Sequence, residues 1–182
     1  MYLSVDIAPC DSTSLVASAY EVPLRTNTVD LVVSFDVLQH LQDYDKALDE
    51  MVRVLRPGGY AIVSVPFVYS ECDVHDFRRW TMEGIVCELQ KRCLAVELTR
   101  YRGGALFVVA CWGVWAMQHL LPGQRRDWRS RKDAISILRA FLVVSLSVVP
   151  LMLAWCALAI DRVLPRSGSY MGVLVCARKR SA

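Results

Sequence analysis

Glycine is scarce in this sequence, nine residues among 182, and no Gly-x-Gly turn occurs anywhere along it. That argues against a nucleotide binder built on the usual glycine fingerprint, where backbone amides approach a pyrophosphate at a helix start. Seven cysteines (10, 72, 87, 93, 111, 156 and 176) form no Cys-x-x-Cys pair and sit mostly in apolar runs. Reduced, buried thiols of a cytosolic protein are therefore expected, neither a disulfide framework nor a zinc site. The three histidines, at 40, 75 and 119, have no ligand spacing, so no metal is expected. A net charge of +3 is too small to indicate nucleic acid by itself. The start, Met1-Tyr-Leu-Ser-Val-Asp6, lacks a basic region followed by an apolar stretch, and a signal peptide is not expected. Internal repeats and low-complexity tracts are absent as well.

What is present begins with a high apolar content, 54% against about 45–50% in ordinary domains, with the excess concentrated after residue 104. The length suits one domain with a substantial core. The clearest local signal is a helix running into a strand. Tyr44, Ala47, Leu48, Met51, Val52 and Leu55 recur at helical spacing on one face. Asp43 can cap that helix, and Arg53 and Arg56 occupy its last turn, where the dipole favours cations. Pro57 prevents continuation, and Gly58 can take the left-handed conformation that ends a helix. The run Tyr60 to Pro66 then reads as a buried strand. Upstream, Leu31-Val32-Val33 is a continuous apolar run, the pattern of a strand covered on both faces. Strand, helix, strand in this order makes a βαβ unit.

Two short strands precede it, Tyr2 to Ile7 and Leu15 to Ala19, separated by a turn-rich stretch. After Pro66 comes a polar segment to Arg79, then a helix that Thr81 can cap, running to about Arg92. Leu94 to Thr99 alternates like a strand, and Tyr170 to Ala177 reads as a last one before a basic tail. Between them, Ala105 to Leu121 is a nearly uncharged helix candidate. A basic connection, 122–132, follows it. Ala140 to Ile160 then carries no charge over 21 residues, long enough to cross a bilayer.

The ordered pair "VDLVVSFDVLQHL" and "RVLRPGG", with "HDFRRWTMEG" behind it, resembles the class I S-adenosylmethionine-dependent methyltransferases. It is most similar to the short type 11 domains, whose usual string is "LPF…FDLV…VLEHL…RVLRPGG". The resemblance runs from about Tyr2 to Gly104 and resumes at the final strand. It implies a Rossmann-like, doubly wound, mostly parallel α/β sheet, here without the family's first strand and glycine-rich loop and with an apolar helical insertion before the last strand. Residues 1–104 would be the core, 105–165 the insertion, and 166–182 the final strand and tail. The cofactor implied is S-adenosylmethionine. Asp6, with Ile7 beside it, closes the first strand, where the family's acid accepts hydrogen bonds from both ribose hydroxyls. Ser18-Ala19 stands where the family has Asp-Ala beside the adenine; the hydroxyl is a departure. Ser34 and Phe35 follow the third strand, where backbone would pass the methionine part, and Phe35 is read equally as core.

His40 falls at the histidine of the "LEH" motif, with Gln39 replacing glutamate; it is a base candidate or a packing residue. His75 and Asp76 are the other catalytic candidates. Arg78 and Arg79 are substrate-side candidates, or else the loop 75–80 locks the next helix. In the family's strand order, 3-2-1-4-5-7-6, the missing strand would lie between the first and third strands of this chain, leaving two edges unpaired. The expectation is an N-terminally truncated enzyme domain that binds its cofactor weakly. The acceptor would be a small molecule or a lipid- or glycan-linked group. The rival is a non-catalytic remnant serving as a membrane-associated interaction module. Two crossings by residues 105–165 would put Arg125, Arg126, Arg129, Arg131 and Lys132 outside. A hairpin on the inner leaflet is expected instead, with the protein cytoplasmic and peripheral on the cytosolic face of a membrane.

Overall fold

A computed structural model describes residues 2–69, 75–120 and 170–181, together with helical positions 152, 155, 156, 159 and 160. The chain divides into two compact units, 1–102 with 172–182, and 103–171. The first is an α/β unit with two sheets. Strands β1 (Val5–Asp6) and β2 (Leu15–Val16) pair in parallel by themselves. The second sheet has four strands: β3 (Val29–Phe35), β4 (Leu55–Pro66), β5 (Leu94–Arg102) and β6 (Gly172–Lys179), in the order β3-β4-β6-β5. β3 and β4 are parallel, and β6 runs antiparallel to both its neighbours. The sheet is thus split where the sequence places a missing strand, and β3 forms an edge among the described residues.

Helix α1 (Tyr44–Val54) connects β3 to β4, and α2 (Met82–Lys91) precedes β5. Their caps are the anticipated ones: Asp43 accepts from the Lys46 amide at 3.4 Å, and Thr81 Oγ1 from the Gly84 amide at 3.1 Å. The core is built from Leu48, Val54 and Leu55 with Val63 and Val65 of β4, Ile85 and Leu89 of α2, and Val173 and Val175 of β6, all buried. Each such side chain contributes about 1.5–3 kcal/mol by leaving water. Arg92 fastens α2 to α1 through Asp49 at 2.6 Å while also holding Glu88 at 3.1 Å. Lys179 gives three hydrogen bonds of 2.7–2.8 Å, to Asn27 Oδ1 and the carbonyls of Val52 and Leu55. Burial there pulls its pKa down.

Three local expectations change. Gly58 does have a left-handed φ of 78°, but it does not end the helix. Leu55 has already turned extended and pairs with Val29, and pairing resumes at Tyr60 with Leu31. Residues 56–59 therefore bulge from β4, and Pro57 and the glycines serve that bulge. Gly59 is needed there, since a Cβ would come within 3.0 Å of the carbonyls of Arg56 and Asp30. The second change concerns β3, which is not covered on both faces. Leu31, Val33 and Phe35 alternate on an open face and are 48%, 46% and 56% exposed, whereas Ser34 is buried. An apolar run signals that a strand seeks cover, and no described element supplies it to this face. The third concerns the thiols. Cys10, Cys87, Cys93 and Cys156 are exposed and Cys111 and Cys176 half-buried, all of them free. Cys87 lies off the α2 face that Met82, Ile85 and Leu89 bury, and Cys93 sits in the turn after it with φ 59°.

In the second unit, α3 (Ala105–Leu120) is a 16-residue helix, as the composition suggested. The basic connection at 122–132 and most of 140–160 lie outside the described residues. Among the described residues no helix is long and apolar enough to cross a membrane.

Candidate functional site

The parallel strands end on a common side of each sheet, where an α/β fold places its ligands. At the end of β1 the Asp6 carboxylate is exposed. One oxygen accepts from the Ala8 amide at 2.9 Å, which orients the group and leaves its other oxygen open. The Ala17 amide donates to the Asp6 carbonyl at 2.9 Å, so the start of the Ser18-Ala19 segment lies against Asp6. Ser18 Oγ accepts from the Tyr20 amide at 3.2 Å, and Ser18 bridges to Glu21 in a tight turn. Ile7 is 78% exposed. In the turn beyond β1, the exposed Cys10 thiol contacts the hydroxyls of Ser12 and Thr13 at 3.1 and 2.9 Å, which hold its pKa below the usual thiol range.

Ser34 and Phe35 close β3 in the other sheet. Ser34 is buried and Phe35 is exposed, so Phe35 is not core. Beyond them a short 3-10 turn, Leu38–His40, carries His40. Its Nδ1 lies 2.8 Å from the His75 carbonyl. A carbonyl only accepts, so Nδ1 is the donor, and of the two tautomers the contact selects the one whose lone pair is on Nε2. The Phe77 amide donates to the Gln39 carbonyl at 2.8 Å, and His75 stacks on Phe77. The loops 36–42 and 75–80 are thereby stitched together at the end of β3.

Within the second loop the charges serve one another. Asp76 is paired with Arg79, whose Nη2 donates to Oδ2 at 2.7 Å. Arg78 donates to the Gln42 carbonyl at 2.8 Å and stacks its guanidinium 4.3 Å over the Tyr44 ring. Trp80, edge-on to Tyr44 at 5.5 Å, is buried just before the Thr81 cap. These contacts tie the loop 75–80 to itself and to the start of α1.

One constellation has no sequence signal. Asp36, in a left-handed conformation at φ 50°, receives both Nη groups of Arg102 at 2.9 and 2.8 Å and the Ser64 hydroxyl at 3.0 Å. Arg102 ends β5, opposite Gly172 of β6, which faces Pro66 of β4. Its side chain thus passes over the ends of two strands to reach the residue after β3. Gly172 makes this possible, because a Cβ there would stand 2.7 Å from Arg102 Nη2 and 2.6 Å from the Val65 carbonyl. The residues lie 66 positions apart, and no periodicity or spacing joins them.

S-adenosylmethionine, the group implied by the resemblance, finds partners for one of its ends. The open oxygen of Asp6 beside residues 17–19 fits a ribose diol. The methionine end would need backbone donors at a strand-to-helix turn. Gly103-Gly104 between β5 and α3 does not fit that need, because the space beside Gly103 is filled by Phe107, 2.7 Å from where a Cβ would sit. Among the described residues no group of His, Cys, Asp and Glu could hold a metal.

Comparison with known proteins matches residues 5–63 to the family described as "Methyltransferase domain". A Mycolicibacterium smegmatis protein, named a probable S-adenosylmethionine-dependent methyltransferase, is 50% identical over 46 residues, 25% of this chain and 18% of that protein. The chain matches about a fifth of the length of such curated relatives. Among solved structures, a methyltransferase of Archaeoglobus fulgidus superposes with a TM-score of 0.55 at 13% identity, over 97% of this chain and 75% of that one. A Haemonchus contortus phosphoethanolamine N-methyltransferase, solved with S-adenosylhomocysteine, superposes at 0.52 and 17% identity, over 91% of this chain and 37% of that one.

Proposed function

We propose, from the match of residues 5–63 to a methyltransferase domain, that this chain belongs to the class I S-adenosylmethionine-dependent methyltransferases and serves methyl transfer to a small-molecule or lipid- or glycan-linked acceptor. The observation that carries the reading is Asp6. Its carboxylate is oriented by Ala8, has one oxygen open, and lies beside residues 17–19 within the matched stretch. When bound, S-adenosylmethionine supplies an electrophilic methyl group on sulfur. Asp6 would hold the ribose through charge-assisted hydrogen bonds. His40, with Nδ1 committed to a carbonyl, offers Nε2 to take the proton of a protic acceptor. Alignment matters more than a base for such a transfer, so loss of His40 should slow the reaction less than misplacing the acceptor.

Because among the described residues only the adenosine end finds a partner, methylthioadenosine is the decisive probe. It should perturb the amides of residues 6–8 and 17–19, and S-adenosylhomocysteine should bind no more tightly than it does. Spectra of those amides unchanged by saturating methylthioadenosine would overturn the reading and favour a non-catalytic remnant. The second unit supports a membrane-proximal acceptor. Val109 of α3 and Trp155 are 68% and 76% exposed, apolar side chains that a lipid boundary would cover. Binding to phosphatidylserine vesicles that weakens with salt is the expected result; absence of vesicle binding removes this part.

A further inference from the structure

We propose that Asp36 and Arg102 form an acceptor-side binding pair that selects a neutral hydroxyl group. The proposal rests on the methyltransferase reading and names the acceptor chemistry for the same end of the sheet. Both side chains are more than a third exposed, and an ion pair so placed contributes little to stability, about 0–1 kcal/mol. Yet the fold makes unusual concessions to it. Asp36 takes a left-handed φ, which an L side chain rarely adopts. Gly172 gives up its side chain so that Arg102 can cross β6. Arg102 Nε is buried with no hydrogen-bond partner, and so is Oε1 of Gln39, a residue 4% exposed whose amide nitrogen donates to the Asp36 carbonyl at 2.6 Å. Leaving polar atoms buried and unmet is costly, a cost that functional sites bear more often than purely structural ones.

The free valences define the ligand. Asp36 Oδ1 accepts from Arg102 Nη2 and from Ser64, whereas Oδ2 accepts from Arg102 Nη1 and has a lone pair left. Each Nη nitrogen has a second N–H beyond the one given to Asp36. An acceptor lone pair beside a donor N–H, in a pair of zero net charge, matches a hydroxyl, which donates to Oδ2 and accepts from Nη1. A carboxylate would compete with Asp36 for Arg102, and an ammonium would meet the guanidinium. The pair therefore favours an alcohol, phenol or enol over either ion.

The test uses the full chain and three probes of one size: benzyl alcohol, benzylamine and benzoate at neutral pH. The reporter is the Arg102 Nε–H resonance, assigned by its loss in Arg102→Lys. Benzyl alcohol should shift it saturably and bind about two- to tenfold more tightly than either ion, the range of one net hydrogen bond. In Asp36→Asn, which is isosteric but leaves the arginine charge uncompensated, the preference should invert to benzoate. Equal or tighter binding of an ion to the native chain, no response to any probe, or no inversion in Asp36→Asn overturns the proposal. Methylthioadenosine is read in the same spectra at residues 6–8 and 17–19, so failure of the cofactor reading and failure of this pair are separately visible.

Discussion

The two sheets of the first unit are made from similar residues and have opposite fates. In the four-stranded sheet, β4 and β6 are sandwiched between neighbours and bury Val63, Val65, Val173 and Val175 completely. The β1–β2 pair has two residues per strand, and its apolar side chains, Val5 and Val16, stay 39% and 56% exposed. A two-stranded pair is marginal on its own. It is held by the segment after β2, where Glu50 accepts from the Val22 amide at 2.7 Å and Arg53 donates to the carbonyls of Val22 and Leu24 at 2.9 Å. Stability therefore resides in one sheet, while Asp6, the residue proposed to hold the cofactor, stands on the other.

The comparison breaks if core truncation does not separate the two. Leu48→Ala in α1, at a residue 1% exposed, should cost about 2–5 kcal/mol, whereas Val16→Ala should cost no more than about 0.5 kcal/mol. Denaturant unfolding measures both, and equal losses would show that β1–β2 shares the core. Gly172→Ala comes next. A Cβ 2.6 Å from the Val65 carbonyl forces backbone apart and displaces Arg102, costing about 1–3 kcal/mol. Unchanged stability there would mean that the strand ends are looser than the packing implies.

The four-stranded sheet was legible because its signals are local. The i, i+3, i+4 spacing of α1 and the Asp43 and Thr81 caps each follow from a few adjacent residues, and strand order followed from the family resemblance. The open face of β3 was not legible. Leu31-Val32-Val33 has the same composition whether or not something covers it, and cover is a property of the rest of the fold. At the site, Asp6 and its neighbours came from motif position. The Asp36–Arg102 pair did not, because side chains joined across the ends of two intervening strands leave no periodic trace. The loop at 75–80 offered chemistry-bearing residues, and only the geometry showed that Asp76 pairs with Arg79 and that Arg78 reaches back to Gln42 and Tyr44 at the start of α1.

The contact between the segment after β2 and α1 gives the next tests. Arg53→Met strands the carbonyls of Val22 and Leu24 and leaves Glu50 without its ion partner, at a cost of about 1–2 kcal/mol. Hydrogen exchange should rise at the amides of Leu15, Ala17 and Val22 and stay slow in β4 and β6. Uniform loss of protection would refute the division. The same contact makes β1–β2 acid-sensitive. Hydrogen bonding to Arg53 holds the Glu50 carboxyl below its ordinary 4.5. The unfolded chain binds that proton first, so stability from Glu50 is complete above 4.5 and declines as pH falls through the lower folded value. Glu50→Gln should flatten this acid slope, and exchange at Val22 followed from neutral to acid pH checks it.

Asp6 gives the smallest stability effect and the sharpest form of the comparison. Its carboxylate is exposed and makes one local hydrogen bond, to Ala8 two residues on, so Asp6→Ala should change unfolding free energy by no more than about 0.5 kcal/mol. If that carboxylate holds the ribose, the same substitution should remove about 1.5–3 kcal/mol of methylthioadenosine binding, because the lost partner is charged. Ser18→Asp should leave affinity unchanged or raise it, since a carboxylate accepts from an adenine amino group more strongly than a hydroxyl does. Calorimetry on the three chains, beside their unfolding curves, separates the possibilities. Affinity lost with stability intact places function on the sheet that contributes least to the fold. Equal affinity in native chain and Asp6→Ala would remove the ribose role, and a parallel fall in stability would make Asp6 a structural residue of the β1 turn.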